Sequence, residues 1–244
     1  MKGIILAAGR GTRLAPLTDF IPKCLLPARG LPLAQHGVEA MVRAGIDDIC
    51  MVVRPDQVSQ FALAFGNGSS LGCDLTFKLQ ATAGGIADAM KAAKTWAESG
   101  DDNDVMVLLG DSIYGHQFRP EVKSFDFKVH YAAYIYSAYA EDPGWCAQLE
   151  RDISFEVLHI HEKPAVLVSH EVVPGCYLYT ADVWERIDGL VPSKRGELEI
   201  TDLNLSYLRD GLLEVNPYVG EWTDAGTDMP SYQAAQHALP GPDR

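Results

Sequence analysis

Apolar residues fall in short runs along the first half of the chain, at residues 4–8, 48–53 and 105–109, and residues 75–79 read as a further strand. Runs of this length without polar alternation are the pattern of strands buried on both faces. Between them, residues 32–44, 56–65 and 85–97 read as helices; Gly45 closes the first, and the turn-rich Gly66-Asn67-Gly68-Ser69 ends the second. The alternation predicts an α/β fold, a mostly parallel mixed sheet with helices on both faces. Ligands of such sheets bind outside the carboxyl ends of the strands. The second half is richer in short β-like segments, at residues 129–136, 148–149, 155–160 and 172–179. These predict strands added to the first sheet and a lid-like β-rich subregion, not a separate domain. Helices return at residues 181–187 and 201–209, and only residues 239–244 read as a frayed tail.

Composition narrows the function. The chain has 244 residues and a formal net charge of -13, which argues against a nucleic-acid backbone as partner. No apolar run nears the roughly 18 residues of a membrane span, and no leader pattern opens the chain, so no membrane association is expected. Five scattered cysteines with no Cys-x-x-Cys predict neither a disulfide frame nor a zinc site, and so a reduced, cytoplasmic protein. Yet residues 1–29 hold Lys2, Arg10, Arg13, Lys23 and Arg29 against a single Asp19. A positive island in an acidic chain suits a small polyanion focused into one cleft. For Arg10 and Arg29, ordinary surface charge is the alternative.

The chemistry begins where the first strand ends. Leu6 and Ala8 lead into Gly9-Arg10-Gly11-Thr12-Arg13-Leu14, and Pro22-Lys23-Cys24-Leu25-Leu26-Pro27 follows. Glycines let backbone N–H groups approach an anion, and Arg13 and Lys23 add two permanent cations. Strand, glycine loop and cations together describe a polyphosphate cradle; a tight turn with two stray cations is the plain alternative. The dinucleotide fingerprint fails at Leu14, where it needs a third glycine, and the P-loop fails because Gly11 precedes Thr12 and Arg13. Asp111 ends the apolar run 105–109, and Asp224 precedes a glycine turn. Each alone reads as a turn residue; with a phosphate loop they read as a Mg²⁺ site, since Mg²⁺ takes one or two carboxylates plus substrate phosphates. Gln80 and Gly85 join a strand to a helix, where a carboxamide can read a pyrimidine edge. Glu162 and Lys163 follow a β-like run, Gly175 opens another, and Arg195 precedes a helix for which Thr201 is the expected N-cap. His159 and His161 share a strand face and are expected to be plain polar residues, for want of a third ligand.

The loop from Gly9 to Pro27 resembles the signature of the sugar-nucleotide pyrophosphorylases. The order of motifs to about Gln236 is similar to that of the glucose-1-phosphate thymidylyltransferases, in the short form, since the chain stops soon after Thr227. The resemblance implies a Rossmann-like nucleotidyltransferase domain over residues 1–238, with a nucleotide-binding part to about 125 and a sugar-phosphate-binding part from about 126. It implies transfer from dTTP or UTP to a sugar 1-phosphate, with Mg²⁺ as cofactor and a homo-oligomeric state. Nucleotide binding falls to Leu6, Ala8, Gly9, Gly11, Thr12, Arg13, Lys23, Gln80, Gly85 and Asp111. Glu162, Lys163, Gly175 and Arg195 bind the sugar phosphate, Asp111 and Asp224 the metal, and Arg13, Lys23 and Lys163 are the catalytic cations. One segment departs: Pro143-Gly-Trp-Cys-Ala-Gln148 stands where the family has an aromatic residue followed by Gly-Val beside the sugar. The alternatives are a different base or a non-glucose sugar phosphate on the same fold, and a non-catalytic nucleotide sensor.

Overall fold

A computed structural model describes residues 1–100, 102–118, 122 and 131–237. The expected boundary near 125 and the expected tail 239–244 lie outside these residues, as do positions 129 and 130 of an expected strand. In chain order the strands are β1 (Lys2–Leu6), β2 (Pro27–Ala28), β3 (Leu31–Pro32), β4 (Asp48–Val53), β5 (Asp74–Leu79), β6 (Val105–Leu109) and β7 (Ser112–Tyr114). There follow β8 (Ala133–Tyr139), β9 (Gln148–Arg151), β10 (Val157–His161), β11 (Glu171–Val172), β12 (Cys176–Tyr179), β13 (Leu213–Pro217) and β14 (Trp222–Asp224).

Among the described residues, one sheet of ten strands runs through both halves of the chain. Strands β6, β1, β4 and β5 are parallel neighbours. The second half extends them: β12 lies antiparallel between β6 and β8, and β13 joins β8 in parallel. A side ladder of β11, β9 and β10 branches from the far end of β8, which is the expected β-rich subregion.

The apolar runs are unbroken because neighbouring residues enter different cores. Ile4, Val52 and Val107 pack on the face covered by helix Ile86–Ala97. Ile5, Met51 and Leu108 pack on the face covered by helix Leu33–Ala44. That second helix stops at Gly45, whose φ of 92° caps the last carbonyls. The helix Ile86–Ala97 buries Ala87, Ala89, Met90, Ala93 and Ala97, a mostly small-residue face laid close on the sheet.

Three expectations change in detail. The run 172–179 is two strands, because Pro174 has no N–H to give and Gly175 turns at φ 69°. The run at 155–160 starts later, at Val157, since Phe155 lies in a turn at φ 66° whose N–H groups at Ser154 and Glu156 donate to the Asp152 carboxylate. Strands β7, β13 and β14 and the helix Met229–His237 carry too few apolar positions to have been foreseen.

Candidate active site

The signature segment leaves β1 at the carboxyl edge of the sheet and settles into three short 3-10 turns. Leu14 and Leu26, both fully buried, pin it to Ile113 and Ala225 below. Gly11 has φ 69°, and a Cβ there would stand 2.9 Å from Lys23 Cβ; Thr18 Oγ1 donates to its carbonyl at 2.8 Å. The loop is therefore folded around the Lys23 stem. Lys23 is almost enclosed and pairs with Asp111. Burial alone would lower its pKa, but Asp111, helped by Asp224, overrides burial and holds it above the ordinary lysine value. Arg13 makes no such pair among the described residues. Its guanidinium lies over the Trp145 ring, 4.4 Å from the centroid.

Asp111 follows β6, and Asp224 ends β14 opposite Ser112 of β7. Asp224 accepts from Gly226 N at 3.0 Å and from Thr227 Oγ1 at 2.5 Å. Its pKa is raised, first by burial and then by the charge of Asp111. Two neighbouring carboxylates of which one pairs with a lysine are a donor set with charge left to neutralise, and a divalent cation fits it. Among the described residues no group of three or more His, Cys, Asp or Glu side chains is arranged to hold a metal. A cation held here would draw its remaining ligands from phosphate oxygens or water.

At one end of the cleft, Gln80 N donates to Val53 O at 2.9 Å, which fixes the loop to the sheet. Gly85 begins the helix Ile86–Ala97 at φ 95° and backs onto Leu198 O, 2.6 Å from where a Cβ would be. At the other end, Glu162 is the hub. It accepts from Arg195 Nη2 at 3.1 Å and Thr201 Oγ1 at 2.5 Å, and pairs with Lys163 Nζ at 3.2 Å. Lys163 has φ 41°, a strained value for a residue with a Cβ, in the turn before Pro164. Arg195 is also forked onto Glu199, at 2.8 and 3.1 Å. Burial would raise the Glu199 carboxyl, but Arg195 and Ser193 hold it below the usual range. Thr201 is not the N-cap of its helix: that position is Glu199, and Thr201 lies in the first turn with its hydroxyl on Glu162.

All the predicted site residues line one cavity of about 470 Å³: Leu6, Ala8, Gly9, Gly11, Thr12, Arg13, Lys23, Gln80, Gly85, Asp111, Glu162, Lys163, Gly175, Arg195 and Asp224. The wall also contains Trp145, Cys146 and Ala147, the segment that departs from the family pattern. Burial and the nearby Asp224 push the Cys146 thiol up to about 12, so it is no nucleophile. Glu199, Thr227 and Tyr177 also line the cavity without having been singled out; the Arg195-to-Glu199 spacing on a helix start was the one available signal. Arg29 turns inward instead, onto Glu221 and Ala235 O, and is structural. The rings of His159 and His161 lie 4.6 Å apart, with His161 2.7 Å from Glu150. A larger cavity of about 620 Å³, against Val157, His159 and Leu205, contains none of the signature residues.

The family model described as "Nucleotidyl transferase" matches residues 2–240. A glucose-1-phosphate thymidylyltransferase of Neisseria gonorrhoeae is 37% identical over 96% of this chain and 81% of its own length. One from Actinoplanes sp. is 37% identical over 93% of this chain and 74% of its own. Among solved structures, a Bacillus anthracis protein assigned as a glucose-1-phosphate thymidylyltransferase, complexed with sucrose, superposes with a TM-score of 0.89. It is 36% identical, covering 97% of this chain and 94% of that one. A UDP-glucose pyrophosphorylase complexed with UDP-glucose, 22% identical, shares the fold with a TM-score of 0.81, over 97% of each chain. Matched by the family model over residues 2–240 and by relatives along nearly its full length, and with Lys23, Asp111, Lys163, Arg195 and Asp224 gathered in one cleft, the chain belongs to the nucleotidyl transferase family and is an enzyme of that kind.

Proposed function

We propose that this enzyme transfers a nucleotidyl group from dTTP or UTP to a sugar 1-phosphate, glucose 1-phosphate in the first instance, and releases pyrophosphate. The observation that carries the proposal is the single cavity, which gathers a base-reading amide, a triphosphate loop, a carboxylate pair and two further cations. The named relatives supply the thymidylyl group and the glucose.

The nucleophile is an oxygen of the sugar phosphate. With a second pKa of roughly 6 it is ionised at neutral pH, so no general base is needed. It bonds to the α-phosphorus as the bond to the α,β-bridging oxygen breaks, and pyrophosphate departs with that electron pair. Lys163 and Arg195 hold the incoming phosphate in line. Lys23 neutralises the triphosphate and Arg13 the departing pyrophosphate. Asp111 and Asp224 would hold Mg²⁺, which when bound screens the triphosphate charge. Residues to about 125 then serve the nucleotide and those from about 126 to 238 the sugar phosphate. A cytoplasmic homo-oligomer is the working form proposed. Five free cysteines suit a reducing compartment, and no helix among the described residues is long and apolar enough to cross a membrane.

The test is a matrix of dTTP, UTP, CTP, ATP and GTP against sugar 1-phosphates, scored by pyrophosphate release. The expected result is use of dTTP and UTP within about tenfold of each other, about 1.4 kcal/mol. A preference for ATP or GTP overturns the pyrimidine assignment, and release from no pair overturns the reaction. One observation favours a second reading for the sugar alone: Cys146 and Ala147 put side chains into the wall where a glycine was expected. A non-glucose sugar phosphate preferred in the same matrix would select it.

A further inference from the structure

Gln80 does not offer both ends of its amide to the cavity. Its Nε2 lies 2.8 Å from Asp88 Oδ2 and 3.2 Å from Gly85 O. Both neighbours are acceptors only, so both amide hydrogens are used within the chain. The residue is buried yet lines the cavity, which leaves the carbonyl oxygen Oε1 as the group it presents there. The reverse orientation would set Oε1 against a carboxylate and a carbonyl, which is repulsive.

A second feature shows that the Asp88 contact is built into the loop. The carboxylate of Asp88 packs onto the Gly84 backbone, and a Cβ at Gly84 would lie 2.6 Å from its Cγ and Oδ2. Gly84 itself is held by Leu198 N, which donates to its carbonyl at 2.7 Å. Any larger residue at position 84 displaces the carboxylate and with it the Gln80 orientation.

We infer that Asp88 is a positioning residue that fixes the hand of the Gln80 amide, so that the base position selects a ring N–H donor and rejects a ring acceptor. This rests on the proposed function, in which Gln80 meets the base. Thymine and uracil carry N–H at N3; cytosine carries a lone pair there. A buried polar group left facing a like group is the contrast on which strong discrimination rests.

Three measurements test it, each following pyrophosphate release. With the native enzyme, N3-methyl-dTTP and CTP are each expected to be used at least about tenfold less well than dTTP. In Asp88→Leu the dTTP-to-CTP ratio of kcat/KM is expected to fall about tenfold. In Asp88→Asn, whose side-chain oxygen still accepts from Gln80, the ratio is expected to stay within about threefold of native. A merely structural role for Asp88 would lower both rates together and leave the ratio in place. Equal use of dTTP and N3-methyl-dTTP, a preference for CTP, or an unchanged ratio in an active Asp88→Leu overturns the inference. If Asp88→Leu does not fold, the N3-methyl comparison decides. If no nucleotide and sugar phosphate pair releases pyrophosphate, the proposed reaction fails, and calorimetry of dTTP against N3-methyl-dTTP still decides the base reading. Equal affinity, or no binding of either, then overturns it.

Discussion

Asp224 is nearly enclosed and has Asp111 as its neighbour, and both conditions oppose its ionised form. A raised carboxyl pKa means that the folded chain keeps a proton the unfolded chain has lost, in the pH window above the ordinary value of about 3.9. The stability owed to this group therefore grows as pH falls into that window and declines as pH rises through it. Asp224→Asn keeps the size and removes the charge. Without added metal at neutral pH it is expected to raise Tm by a few degrees, while costing on the order of 10²-fold in rate. Thermal unfolding and pyrophosphate release measured on the same preparation check both halves; a lower Tm with full activity would refute the account. Full activity of the native enzyme in excess EDTA would remove the metal from it. Lys163 belongs to the other end. Lys163→Ala is expected to weaken sugar-phosphate binding about tenfold or more and leave nucleotide binding nearly unchanged, as calorimetry with each ligand alone would show. Equal losses for both ligands would mean that the strained turn at φ 41°, not the ammonium, is what matters.

At the scale of elements, the signature loop is tied down twice. Leu14 and Leu26 anchor it from below, and the Arg13 guanidinium rests on Trp145 above. Leu14→Ala opens a buried cavity and is expected to cost ~2–5 kcal/mol, read by denaturant unfolding. Trp145→Ala removes a cation–π contact worth about 0.5–1 kcal/mol at an exposed position. Its expected signature is spectroscopic: dTTP draws Arg13 off the indole and changes tryptophan fluorescence in the native protein, and the change shrinks in Trp145→Phe. An identical response in both proteins would show that Arg13 does not leave the ring. These elements also mark what could be read in the chain. Strands β1, β4 and β6 were legible because burial on both faces writes apolar runs, and the edge strand β5 by its alternation of Leu75, Phe77 and Leu79 with polar residues. Strands β7 and β14 were not: each has three residues, and their role is to bring Asp111 and Asp224 together across 113 positions of sequence. The segment from Gly9 to Pro27 was legible as a family signature. The Asp88 contact was not, because nothing in Gly-Gly-Ile-Ala-Asp88 says which way a neighbouring amide will turn.

At the scale of the molecule, one sheet carries both ends of the cleft. Gln80 follows β5, Asp111 follows β6, and Glu162 with Lys163 follows β10 at the opposite edge. The fold was predictable as α/β, but the branching of the side ladder from β8 depends on pairings far apart in sequence, which no local pattern encodes. The acidity of the chain takes on meaning here. Lys23 is matched by Asp111, Lys163 by Glu162, and Arg195 by Glu162 and Glu199, while Arg13 is occupied by an indole. Each cation proposed for phosphate thus already has an internal companion, and an arriving anion must displace it. Inorganic phosphate, small and arriving without a metal, has little with which to compensate Asp111 for losing Lys23. A nucleotide that brings its own divalent cation has the means. The Lys23 end of the cleft should therefore be poorly competed by free phosphate: inorganic phosphate is expected to compete weakly with dTTP in steady-state kinetics, and magnesium pyrophosphate strongly. Internal pairing of this kind makes the Lys23 end of the site a filter for anions that carry their own counter-ion.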